Sequence, residues 1–129
     1  MSEKLIKNWI ALAEYDFQTA KSMLVSGRYL YVAFTCEQTI EKLFKAVYVK
    51  EKKETPPYTH NLIKLLSQLS INKSIDKGKI QFIELLNSYY IESRYTEEIN
   101  EILKTLNKKN ALEILNKTEE MLTWLKKII

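Results

Sequence analysis

The run from Arg28 to Lys50, RYLYVAFTCEQTIEKLFKAVYVK, carries the strongest pattern in the chain. Tyr29, Ala33, Cys36, Ile40, Leu43 and Val47 recur three and four residues apart, and Leu30, Phe34, Phe44 and Tyr48 form a second row beside them. Together they make a broad apolar face on a helix, which must touch several neighbours to be covered. Gln38, Glu41 and Lys45 share another side, so a polar seam runs beside the apolar one. Function is sought on that seam.

On the N-terminal side, Ser2 is placed to cap a first helix that runs to about Val25. Its stripe is Ile6, Trp9, Ala13, Ala20, Met23 and Leu24. Asp16 falls on the same stripe, and a carboxylate there needs a counter-charge, because an unpaired buried acid is costly. Gly27 suits the left-handed residue after a helix end, and the central helix starts two residues later, which predicts an antiparallel hairpin.

On the C-terminal side, Lys50, Lys52, Lys53 and Pro56-Pro57 end the central helix. Thr59 is the expected cap of a short helix carrying Leu62, Ile63, Leu65, Leu66 and Leu69, with His60 in its first turn. Residues Ile71 to Gly78 read as a loop. A fourth helix with Ile80, Ile83, Leu86 and Tyr90 on one side is expected to deliver Arg94 and Tyr95 at its end. Thr96 is placed to cap a short helical piece, EEINEILKTL. Asn107 or Asn110 then opens the last helix, whose inward residues are Leu115, Leu122, Leu125 and Ile129. The expectation is a single all-α domain over residues 1–129, an up-down bundle of about five main helices.

The totals agree with this. A chain of 129 residues buries roughly two-thirds of its unfolded surface, and two Gly and two Pro are too few for a many-stranded sheet. One cysteine, Cys36, excludes an internal disulfide and points to a reducing compartment. MSEKLIKNW lacks the apolar run of a secretory signal, and no stretch is long enough to span a bilayer, so a cytoplasmic protein with no membrane association is expected. The net charge of +4 permits contact with nucleic acid, but the lysines are spread without a basic block. Arg28 and Arg94 are the arginines among 20 basic residues, positions where the planar fork has a use that lysine lacks. There is no glycine-rich phosphate loop or zinc spacing, and a single His excludes sites that need two, so neither a metal nor a cofactor is implied.

Five motifs in order resemble the HEPN domain family: Ala13, Asp16, Phe17 and Ala20 as A-x-x-D-F-x-x-A; Gly27 with Tyr29; Glu37 to Lys45 as EQTIEKLFK; Thr59 to Leu62 as THNL; and Ser93 to Tyr95 as SRY. The resemblance spans Trp9 to about Thr96. It implies a small helical bundle, paired copies, and a minimal nucleotidyltransferase as partner in the manner of toxin-antitoxin pairs. The family's ribonucleases are similar in placing a His after an Arg with four to six residues between them. Here the corresponding positions ahead of His60 hold Lys53, Glu54 and Thr55, and no His follows Arg94. In the branch that has Arg-Tyr-Pro, Thr96 stands where the Pro would be.

The candidate ligand-binding residues are therefore Asp16, Gln38, Glu41, Lys45, His60, Arg94 and Tyr95. Arg94 either binds a phosphate or fixes a carboxylate such as Asp16 or Glu41. His60 serves as a base or merely caps and packs, and at a helix start the positive end of the dipole would oppose its protonation. Glu41 and Lys45 form a four-apart ion pair, whose plain reading is a solvated helix face. Tyr89, Tyr90 and Tyr95 pack in the core or stack on bases. The function expected is a non-catalytic binding module that pairs with a nucleotidyltransferase or holds nucleotide or RNA. The alternative is a divergent metal-independent ribonuclease, acting as a dimer through His60 and Arg94.

Overall fold

A computed structural model describes residues 2–90 and 99–129. The described residues form six α-helices and no strand: α1 (Ser2–Val25), α2 (Tyr29–Lys52), α3 (Leu62–Ser67), α4 (Lys77–Asn87), α5 (Ile99–Thr105) and α6 (Lys108–Ile128).

The α1–α2 hairpin follows from its turn. Gly27 has φ +78°, Arg28 N donates to Met23 O at 2.8 Å and Gly27 N donates to Leu24 O at 3.2 Å. This six-to-one and five-to-two pair satisfies the last carbonyls of α1 and reverses the chain within three residues. α2 ends on Lys53, also left-handed at φ 57°, with its N–H on Val49 O at 2.8 Å. A lysine pays a steric cost there that glycine would not.

α2 is the axis of the molecule. It is buried almost all round from Val32 to Val49, as the breadth of its apolar face requires. α1 packs antiparallel along it, and α6 lies against both, running opposite to α1 as the Lys21–Glu119 and Lys126–Glu14 ion pairs show. α3 and α4 close another side of α2. Phe44, Ile40, Leu43, Leu62, Leu65, Ile83, Leu86 and Leu125 meet in one core.

Three local expectations are corrected. The cap of α3 is Asn61, whose Oδ1 accepts from Ile63 N and Lys64 N at 3.0 and 3.1 Å, while Thr59 Oγ1 accepts from Asn61 N. His60 therefore precedes the helix and is not in its first turn. The segment read as a loop from Ile71 to Gly78 contains a 3-10 turn, Ser70–Lys73, and the start of α4, capped by Asp76. Finally, α4 stops at Asn87, so Tyr90 follows it instead of riding on it. Arg94, Tyr95 and Thr96 lie outside the described residues. Asn107 opens α6, with Oδ1 accepting from Asn110 N at 2.9 Å.

Candidate functional site

The polar seam of α2 is inside the protein. Glu41 is 3% exposed and Lys45 5%, so their pair is not the solvated one that four-apart spacing suggests. Lys45 Nζ donates to Glu41 Oε2 at 3.2 Å and sits 5.4 Å from the centre of the Trp9 ring on α1. The other oxygen of Glu41 meets His60 Nδ1 at 2.8 Å. Glu41 is thus shared between two donors, and as a carboxylate beside a lysine it makes Nδ1 the protonated ring nitrogen. His60 Nε2 has no hydrogen bond among the described residues.

His60 is also fixed by its faces. Its ring stacks on Tyr90 with centroids 4.8 Å apart and planes at 19°, and the Tyr58 ring approaches it edge-on at 5.9 Å. Tyr90 in turn lies 6.2 Å from Phe34 of α2. A cleft of about 430 Å³ opens at this point, lined by Thr59, His60, Asn61, Asn87 and Tyr90. Its floor is pinned by amides: Asn87 Oδ1 accepts from Leu62 N at 2.8 Å, and Asn87 Nδ2 donates to Asn61 Oδ1 at 3.3 Å.

A second cluster adjoins the first. Glu37, one turn before Glu41, is fully buried. It accepts from Gln38 Nε2 at 2.9 Å through Oε1, while Oε2 has no partner among the described residues. Burial, reinforced by the nearby Glu41 charge, pushes its pKa up to about 8, so it is largely protonated at neutral pH. Lys42 Nζ links Gln38 Oε1 at 3.2 Å to Asp16 Oδ2 at 2.6 Å. The counter-charge required by Asp16 is therefore supplied by Lys42.

Of the residues singled out in the sequence, Glu41, Lys45 and His60 form one cluster, and Gln38 and Asp16 join a neighbouring one through Lys42. The proposed proximity of Asp16 and Arg94, and any role of Tyr95, fall outside the described residues. Glu37, Lys42, Trp9 and Tyr58 were not anticipated at the site. The signal for Glu37 was available in its spacing: four residues before Glu41, it lies on the same face of the helix and shares that residue's burial. Lys42 follows from the hairpin register, which sets it across from Asp16.

A six-helix bundle wrapped on a buried central helix, with polar residues enclosed between that helix and its hairpin partner, defines a class of small helical domains. Comparison places the chain within it. The HEPN domain model matches residues 6–128, and the chain belongs to that family. The fold is similar to the crystal structure of TT1696 from Thermus thermophilus, with TM-score 0.80, 19% identity, and coverage of 96% of this chain and 98% of that one. It is also similar to ST0689, described as an archaeal HEPN homologue, with TM-score 0.74, 23% identity and coverage of 95% of each chain. No curated protein sequence gives a significant match. Among the described residues no helix is long and apolar enough to cross a membrane.

Proposed function

We propose that this HEPN-family chain is a recognition subunit that does not itself cleave RNA. It works as a cytoplasmic homodimer, paired with a minimal nucleotidyltransferase in the manner of a toxin-antitoxin couple, and uses the cleft beside His60 to hold a partner group, nucleotide or RNA. One observation carries the reading. Glu41, Lys42 and Lys45 of α2 are matched inside the protein, Glu41 with Lys45 and His60, and Lys42 with Asp16 of α1. Metal-independent RNA cleavage needs groups that deprotonate the ribose hydroxyl, protonate the leaving oxygen and stabilise the phosphorane. The cleft lining offers one titratable nitrogen, His60 Nε2, and otherwise the amides of Asn61 and Asn87 and the hydroxyls of Thr59 and Tyr90, with no cation. Such groups recognise without supplying an acid, a base and a cation together.

The ribonuclease reading retains one supporting observation: a carboxylate-anchored histidine is an oriented general base, and a second copy would provide another. Incubation with structured and single-stranded RNAs, with and without chelator, separates the two. The recognition reading predicts intact RNA for the parent and for His60→Ala and Arg94→Ala. Turnover by the parent that both substitutions abolish would restore the ribonuclease. Light scattering at tens of micromolar, on the order of the concentrations where weak dimers persist, is expected to give the dimer mass, and a monomer mass would remove the paired-copy part.

A further inference from the structure

α1 carries a row of residues that its own core does not use. Leu5, Asn8, Leu12, Tyr15, Thr19 and Ser22 recur alternately three and four residues apart, the spacing by which two helices mesh along a seam. The core side of the helix lies elsewhere, on Ala13, Phe17 and Ala20. At the middle of the row Leu12 is 48% and Tyr15 73% exposed, and Asn8 and Ser22 are exposed as well. Between Asn8 and Val25 the charges of α1 are Glu14, Asp16 and Lys21, and each is paired with a residue of another helix, Lys126, Lys42 and Glu119 in turn. Ala11, Gln18 and Val25, exposed beside the row, are uncharged. In a chain that is 28% charged, the open side of α1 thus presents no unmatched charge over about five turns.

We propose that this row is the docking face for a second copy of the chain, with α1 packed antiparallel on α1 of the partner about a two-fold axis between Leu12 and Tyr15. The proposal rests on the paired-copy part of the reading above and assigns it a surface, none of whose residues lines the His60 cleft. About that axis Leu12 meets the partner's Tyr15, Asn8 the partner's Thr19 and Leu5 the partner's Ser22, and each contact is made twice. The apolar pair is at the centre. Next to it the Asn8 amide donates to Thr19 Oγ1, whose own proton is already donated to Tyr15 O at 3.1 Å. Parallel pairing would instead set Asn8 on Asn8, and Lys4, beside the row, on Lys4. Charge favours a second copy over a different occupant. Two chains of net charge +4 repel, so they meet where neither presents charge. A charged partner, protein or nucleic acid, would find nothing on this row to pair with. One helix pair covers less than the ~800 Å² per partner of a standard interface, so the dimer is weak and its population follows concentration.

The test is sedimentation equilibrium of the full chain from about 1 to 100 micromolar, for the parent, Leu12→Glu, Tyr15→Glu and, at an exposed apolar site on α6, Leu112→Glu. The parent and Leu112→Glu are expected to dimerise alike. Each α1 variant is expected to weaken the dimer by roughly tenfold or more, because a carboxylate is carried into an apolar contact. Far-UV circular dichroism should be unchanged in both, since the replaced side chains are exposed. A bis-maleimide of short span gives the orientation: Asn8→Cys and Thr19→Cys chains, mixed, should cross-link to each other and neither to itself, the native Cys36 being buried. A parent dimer that Leu12→Glu and Tyr15→Glu leave intact, or that Leu112→Glu weakens equally, would overturn the α1 face and keep the paired copies. A parent that stays monomeric would remove both, and one that instead sediments with phosphatidylcholine vesicles, unless Leu12→Glu is present, would give the face to a lipid surface. Cross-linking of Asn8→Cys to itself would overturn the antiparallel arrangement.

Discussion

Cys36 and Glu37 are neighbours on α2, equally buried, and obey opposite rules. Cys36 faces α6, where Thr118 contacts it and the surroundings are apolar; burial pushes its thiol up to about 12, so it stays neutral. Glu37 looks to the other side of the helix, where Gln38, Glu41, Lys42 and Lys45 all act on it. On the first side, stability comes from packing and is indifferent to pH. On the second, it depends on which protons are bound and on each charge having its partner. This central helix buries its whole circumference because one side is dry and on the other each ionisable group is either paired or, like Glu37, held protonated.

The largest effect is expected on the dry side. Phe44 is fully buried in the core, and Phe44→Ala should cost ~3–5 kcal/mol in chemical denaturation, by the same amount at pH 5 and pH 8. On the charged side, Lys45→Ala strands Glu41 at 3% exposure and should cost about 3 kcal/mol. A Glu41→Leu, Lys45→Met double variant should recover most of that loss, since an apolar pair removes both desolvation costs. A double variant as unstable as the single one would show that the pair contributes more than its mutual neutralisation.

The sharpest difference between the two sides is in pH dependence. The pKa of Glu37 is raised on folding, from 4.5 to about 8. The folded state therefore holds a proton that the unfolded state releases. The stabilisation is fully present below the unfolded pKa and is lost as pH rises through about 8. Stability should fall between pH 5 and pH 8 by up to ~1.4 kcal/mol per unit, and Glu37→Gln should remove that slope. The smallest effect is at the end of α2, where Lys53 is left-handed. Lys53→Gly should stabilise the protein by up to about 1 kcal/mol, read as a raised thermal midpoint.

The hairpin was legible because Gly27 and the two apolar stripes are local signals, and the helix count because every periodic segment repeats near three and a half residues. Asp16 could be recognised as needing a counter-charge, yet its partner, Lys42, is set by the register between α1 and α2, which no local pattern states. The cap of α3 was misplaced by two residues, because Thr59 and Asn61 are both good caps and only the packing of Asn87 on Asn61 and on Leu62 N selects between them. That shift removed His60 from a helix dipole and gave it to Glu41. The seam of Gln38, Glu41 and Lys45 was visible as a spacing, but its burial was not, since burial depends on α1 and the segment before α3 closing over it. The rings of Tyr58, His60, Tyr90 and Phe34 come from one helix and two connections, a proximity that exists only in three dimensions.

His60 is an anchored element of the α2 charge network. His60 is the single histidine of the chain, so one set of imidazole signals reports on it without assignment. Long-range ¹H–¹⁵N correlation spectra of the neutral ring should show the proton on Nδ1, donated to Glu41, with Nε2 unprotonated, and Glu41→Gln should abolish that preference. A parent spectrum dominated by the Nε2-protonated form, or one that Glu41→Gln leaves unchanged, would contradict it.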